Sequence, residues 1–337
     1  MDQPTGSPLL SQSTIPTDVP NVASTNVGNM GRVHPTTSIP TSHPLSSTPS
    51  SSPPLRSVHN HTSAWEPYIF HYTAGIPTPT LFLFVVNFHE PRYAPVRFLS
   101  TQYFPLFRRH FLFDFDVVFL GPWESRGDHV LSHRLPIHGH FSYRSLAVAY
   151  QQLCVREACR YASFVLMNDD SYLDPVFLLQ YPLEKSLTEP SRMLNPRGNW
   201  MWLRKRNARN QTYAQAFDDA LRELIAQPRW SKCEFGKPEN RRRGFADFFM
   251  IRRDNMSDFC ELSAVMYRHR VFLEMAAPTI NYCFTRTFVD NCNHGPMKNR
   301  RTCVHMHPVK YRQPGNEQLA INRMLRYNMD AAPPRMW

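Results

Sequence analysis

The chain has 337 residues, 42% of them hydrophobic and 13% aromatic, with 30 Pro, 12 Gly, 7 Cys and a formal charge of +11. That composition excludes a fully disordered protein, a collagen-like fibre, a coiled coil and a small disulfide-framework scaffold. The longest strongly apolar run, residues 81–86, is far short of the ~18–20 residues that a membrane span requires. Residues 1–62 hold 31 Ser, Thr or Pro, no aromatic side chain and no net charge, whereas all 43 aromatic residues follow. Such a segment cannot bury enough apolar surface to offset its ordering entropy, so 1–62 reads as a disordered stem or tail. Residues 63–330 then form the folded domain, and 331–337 a flexible C-terminus.

In chain order, the continuous β-prone run at 80–86 reads as a buried parallel strand. A helix follows over 95–110, and a second buried strand over 116–120 ends at Gly121 and Pro122. Helical spacing at 142–160 makes Ser142 the N-cap. A third buried strand, 163–167, stops abruptly at Asn168, Asp169 and Asp170. Beyond it come a helix at 212–227, a strand at 246–251, and helices at 256–270 and 273–284. Strands alternating with helices predict an α/β fold: a mixed, mainly parallel sheet flanked by helices.

Chemistry concentrates at 168–170. A hydrophobic strand delivers adjacent carboxylates at its C-terminal edge, where open α/β sheets bind ligands. Oxygen ligands on a short turn suit Mg²⁺ or Mn²⁺ shared with substrate phosphates; capping of the next helix by the same acids is the plainer reading. Asp114 and Asp116 repeat the Asp-x-Asp form but precede their strand instead of following it, which assigns them to surface or capping duty. Asp247, inside an apolar strand, and Glu274, opening a helix in apolar surroundings, are isolated carboxylates that need a partner or a function. The plainer reading is a salt bridge to Arg268 or Arg270, or helix capping at Glu274.

Three weaker signals compete. Cys292, His294, Cys303, His305 and His307 would supply zinc ligands, although Cys292 and Cys303 would equally make a disulfide. The basic runs 204–206, 241–243 and 298–301 fit polyanions, but no RRM, KH or homeodomain pattern accompanies them, and a solvated surface explains them as well. The His-rich stretch 133–140 reads as a loop. Asn60, Asn210 and Asn255 head glycosylation acceptor patterns, no secretory signal is readable, and seven cysteines leave at least one thiol unpaired.

The layout resembles the metal-dependent glycosyltransferases of the GT-A fold, a Rossmann-like nucleotide-diphospho-sugar transferase class. The residues that carry the resemblance are the acidic turn Asn168, Asp169 and Asp170, the segment 244–251 around Asp247, the segment 271–279 around Glu274, and the late stretch 305–310 with His307 and Lys310. The resemblance implies a sugar transferred from a UDP- or GDP-sugar donor to a glycan or glycoconjugate acceptor, in the Golgi or ER lumen. It places Mn²⁺ or Mg²⁺ on Asp169, Asp170 and His307, the nucleotide near Asn87 and Asp169, Lys310 against the leaving diphosphate, and Glu274 or Asp247 as base. Asn168 stands where the family has the first Asp. The alternatives are a non-catalytic relative that binds a glycan or partner, and a basic nucleic-acid-binding protein.

Overall fold

The structure is a computed structural model and describes residues 66–73, 81–88, 90, 93–122, 129–132, 139–155, 159–290 and 303–326. The expectations for 1–62 and 331–337, and those for Asn60, His133, His138, Cys292, His294 and 298–301, lie outside these residues. The strands are β1 (Phe70–Tyr72), β2 (Leu81–Asn87), β3 (Asp114–Gly121), β4 (Val130–Ser132), β5 (Ser163–Asn168), β6 (Tyr172–Leu173), β7 (Leu187–Thr188), β8 (Ser191–Met193), β9 (Arg242–Gly244), β10 (Phe248–Arg252) and β11 (His305–Met306). The helices are α1 (Pro95–Phe98), α2 (Phe104–His110), α3 (Tyr143–Leu153), α4 (Pro175–Leu178), α5 (Met201–Arg204), α6 (Tyr213–Ile225), α7 (Arg253–Arg268), α8 (Leu273–Phe284) and α9 (Asn316–Leu325).

The central sheet runs β1-β3-β2-β5-β10-β7, with β4 also paired to β3. Its middle strands β3, β2 and β5 are parallel, as the continuous apolar runs predict, and β4 joins β3 in parallel as well. Antiparallel partners close both sides: β1 on β3, and β10 with β7 beyond β5. The fold is therefore α/β with a mixed sheet. Asn87 is in register with both Leu120 and Asn168, so the three parallel strands end at one edge.

Side chains alternate across β2. Leu83 and Val85 join a core with α3, α6, α7 and α8. Phe82, Phe84 and Val86 face a second core with α1, α2 and α9, as the two-residue strand period dictates. The second core is built on rings: Phe84 meets Phe107 and Phe115 edge to face at 5.5 and 5.1 Å. Each fully buried Phe stabilises the fold by roughly 1.5–3 kcal/mol.

Several boundaries differ from the sequence reading, most clearly in the first two helices. The helix over 95–110 is interrupted by a π-helical stretch, Leu99–Tyr103, just before Pro105, which has no N–H to continue the regular ladder. The helix expected over 142–160 ends at Leu153; Cys154 is disulfide-bonded to Cys159, turning the chain back, and Val155 is 64% exposed. Ser142 makes no side-chain cap bond and is itself helical in φ and ψ. By contrast, α6 begins with a full capping box, Thr212 with Gln215.

Candidate functional site

Three chain segments meet at the edge where β2, β3 and β5 end. After β5 the turn carries Asp169 and Asp170, both 8% exposed, and the Asp169 amide donates to the carbonyl of Asn87 at 3.0 Å. Because β10 runs antiparallel to β5 with Phe248 opposite Met167, the residue before it, Asp247, falls beside Asn168. Asp247 thus precedes its strand and does not lie within it, a correction to the sequence reading that follows from strand direction. The third segment enters through β11, paired antiparallel to β6. This small ladder brings His307, Lys310 and Arg312 over the acidic turn, where the Val309 amide donates to the Asp170 carbonyl at 2.5 Å.

The side chains form a chain of charge. His307 lies between two carboxylates, with Nε2 3.0 Å from Asp170 Oδ1 and Nδ1 3.0 Å from Asp247 Oδ2. Lys310 contacts the other oxygen of Asp170. Arg312 reaches Asp169 and Glu90, each at 3.8 Å. Asn168 Nδ2 donates to Asp247 Oδ1 at 2.6 Å. That bond explains the Asn at the head of the turn: a carboxylate there would confront Asp247 directly. Glu90, Pro95, Asp169, Asp170, Lys310 and Arg312 line a cavity of about 110 Å³ together with Tyr311.

Electrostatics follow from these contacts. Burial opposes charge on Asp170, but His307 and Lys310 outweigh it and hold the carboxyl far below its usual range. Burial likewise disfavours an imidazolium, yet Asp170 and Asp247 raise His307 to about 10. Asp247 is lowered, against its burial, chiefly by His307. Glu274 moves the other way: burial first, then the charges of Asp247 and Glu189, push it up to about 7. It pairs with neither Arg268, which bonds Glu223, nor Arg270, which lies over the Tyr267 ring.

Among the sequence-predicted residues, Asp169, Asp170, His307, Lys310 and Asp247 come together, and Glu274 is coupled to them electrostatically. Asn87 is fully buried; its Oδ1 accepts from Ser145 at 2.5 Å while its backbone supports Asp169. Among the described residues no three His, Cys, Asp or Glu side chains form a cation-ready group. Asp170 supplies the oxygen a hard cation takes and His307 a nitrogen of a softer kind, but here the two hold each other, Nε2 to Oδ1 at 3.0 Å, so a cation would have to enter between them. Asp169 is turned to Arg312. The zinc reading is overturned in part: Cys303 is disulfide-bonded, and His305 bonds Glu189 at 2.8 Å. Asp114 and Asp116 are buried, 7% and 2% exposed, so their expected surface duty is also corrected.

Sequence reasoning missed Glu189, Arg312 and Glu90. Arg312 was within reach, two residues beyond Lys310. Glu189 and Glu90 carried no local signal, since each owes its place to the fold.

No family model and no curated protein matches the chain. Among solved structures, the chain is similar to the apo form of WbbM, a bifunctional glycosyltransferase, with a TM-score of 0.42 and 13% identity over 74% of this chain. The likeness spans 50% of that chain. Similarity at this level assigns neither chemistry nor substrate.

Proposed function

We propose that the chain is a glycosyltransferase that moves a sugar from a nucleotide-diphosphate donor to a glycan, protein or lipid acceptor. One observation carries the reading: the carboxylates of Asp169 and Asp170 and the cations of Lys310 and Arg312 line one cavity at the C-terminal edge of the parallel strands. In open α/β sheets that edge is where nucleotide ligands bind. Lys310 and Arg312 would hold the diphosphate and offset the charge it gains as the bond from its oxygen to the anomeric carbon breaks. Asp170 and His307, with Asp169, would hold Mn²⁺ or Mg²⁺, which when bound supplies further charge stabilisation at the diphosphate.

Glu274 is the base in this proposal. A half-buried carboxyl raised to about 7 is matched to taking a proton from an acceptor hydroxyl near neutral pH. That assignment corresponds to a single displacement with inversion at the anomeric carbon. Asp247, held between Asn168 and His307, positions the imidazole. A lumenal compartment, Golgi or ER, is supported by cysteine use: Cys154–Cys159 and Cys233–Cys283 are disulfides, Cys303 is bonded, and Cys260 is the free thiol among the described residues. No described helix is long and apolar enough to cross a membrane.

The test is a donor screen. Purified protein is incubated with UDP- and GDP-sugars with and without Mn²⁺, and release of nucleotide is measured. Turnover of one donor that rises with Mn²⁺ is expected; no turnover of any donor under either condition, with nucleotide binding absent, contradicts the proposal. The second reading, a non-catalytic glycan or partner binder, is favoured by the engagement of Asp170 with His307 and Lys310, and predicts nucleotide-independent glycan binding in the same screen.

A further inference from the structure

Behind the charged turn lies a second, wholly buried acid–imidazole pair that the reaction does not use. Glu189, between β7 and β8, has no exposed side-chain surface, and neither has His305. One Glu189 oxygen, Oε1, takes His305 Nδ1 at 2.8 Å. The other, Oε2, accepts the backbone amides of Asp247 at 2.9 Å and Phe248 at 3.2 Å. A carboxylate only accepts, so the proton of this contact sits on His305 Nδ1. His305 Nε2 is buried with no hydrogen-bond partner, and the ring stacks on Phe248 at 5.6 Å.

Two of the three segments that build the site are therefore tied to one carboxylate. The amides fix where the chain enters β10, and so where Asp247 stands. The imidazole fixes β11 two residues before His307, whose ring lies nearly parallel to that of His305 at 6.5 Å. Burying a charge is costly, and a well-packed apolar side chain stabilises such a position at least as well. What an apolar side chain cannot do is hold two amides and a ring nitrogen at once.

We infer that Glu189 is the positioning residue for the Asp247 and His307 half of the site, acting through the backbone of β10 and through His305 without touching substrate. The inference deepens the proposed reaction, and only the kinetic arm of its test rests on that reading. Glu189 also faces Glu274 electrostatically, alongside Asp247, which acts in the same direction, and His307 and Arg243, which act against it.

The experiment compares the full chain with Glu189→Gln and Glu189→Ala by amide hydrogen exchange, imidazole ¹⁵N resonances and donor turnover. In Glu189→Ala the amides of Asp247 and Phe248 should exchange at least about tenfold faster, the order expected for loss of a buried charged acceptor. Met250 and Ile251, deeper in β10, should stay protected. Glu189→Gln keeps an acceptor for the amides but presents an NH₂ group to His305, so the ring proton should move from Nδ1 to Nε2. The Gln variant should lose about tenfold in kcat with donor KM unchanged, the mark of a displaced supporting shell, and its acid limb should shift to lower pH. Wild-type exchange at Asp247 and Phe248 in Glu189→Ala overturns the inference. If that variant does not fold, an unmoved His305 proton together with wild-type kcat and pH profile in Glu189→Gln overturns it. If no donor is turned over by the wild type, exchange and the His305 proton decide the inference alone, and it is the proposed reaction that falls.

Discussion

Asp114 and Asp116 belong to the amino-terminal end of β3, while Asp169 and Asp170 follow the carboxyl end of β5, and the two pairs are used in different ways. Asp116 is 2% exposed and accepts from His71 at 2.7 Å, Arg160 at 2.7 Å and Tyr161 at 2.8 Å, tying β1 and the start of β5 to β3. Asp114 meets Arg108 at 3.3 Å. Their contacts lie within the protein. Asp169 and Asp170 also meet cations, but those cations, Lys310 and Arg312, line a cavity with them. Lys310 is 54% exposed at its side chain and Arg312 37%, so both are available to an incoming anion. The same residue type braces strands at the start of β3 and lines a cavity after β5, where the proposed reaction would use it as a ligand group.

The largest expected effect concerns a third kind of acid, one raised by its surroundings. Glu274→Gln should lower kcat by roughly 10²–10⁴-fold, the usual contribution of a general base, while leaving nucleotide binding intact. In the wild type, activity should rise with pH through about 7, as Glu274 ionises. Stability carries the opposite sign. The folded-state value lies above the ordinary 4.5, so the stabilising protonated form is fully present below 4.5 and is lost as pH rises through about 7. Melts between pH 4 and 8 should show that decline in the wild type and a flatter profile in Glu274→Gln.

Next in size is the brace itself. Asp116→Ala leaves Arg160, Tyr161 and His71 without their shared acceptor and should cost about 3 kcal/mol in denaturant unfolding. The nucleotide affinity of the folded fraction should not change. A change in affinity without a change in stability would erase the distinction between the two pairs. Asn168→Asp brings the distinction to a single position, placing a second carboxylate against Asp247. The expected loss is about 2 kcal/mol at pH 8, and less at pH 5, where a proton shared by the pair relieves the repulsion. The smallest effect is at the rim: Lys310→Ala should weaken nucleoside diphosphate binding about tenfold, the scale of one charge-assisted contact, and lower the melting temperature only slightly, since Asp170 loses one cation and keeps His307.

Much of this was legible in the sequence because burial on both faces leaves continuous apolar runs. The strands at 80–86, 116–120 and 163–167 were readable for that reason, and so was the turn that interrupts the last of them. Asp247 stands out as an acid in an apolar run, but such a run reveals neither where its strand begins nor its direction, and the antiparallel sense of β10 decides which end faces the site. The end of the helix after Ser142 is not legible, because Val155 continues the apolar spacing while the Cys154–Cys159 bond has no periodic signature. Glu189 was illegible for a deeper reason. A lone Glu before Pro190 looks like any loop acid, and only the packing of β10 and β11, each paired to a different strand, brings the Asp247 and Phe248 amides and His305 to it.

The central claim is that Asp170, with the groups around it, holds a metal-bound nucleotide. Titration calorimetry of UDP and GDP into the wild type and Asp170→Ala, with and without Mn²⁺, tests it most directly. The wild type should bind one nucleotide in a manner that requires Mn²⁺, and that binding should disappear in a folded Asp170→Ala variant. Equal affinity in the variant, or no binding by the wild type with or without Mn²⁺, would contradict it.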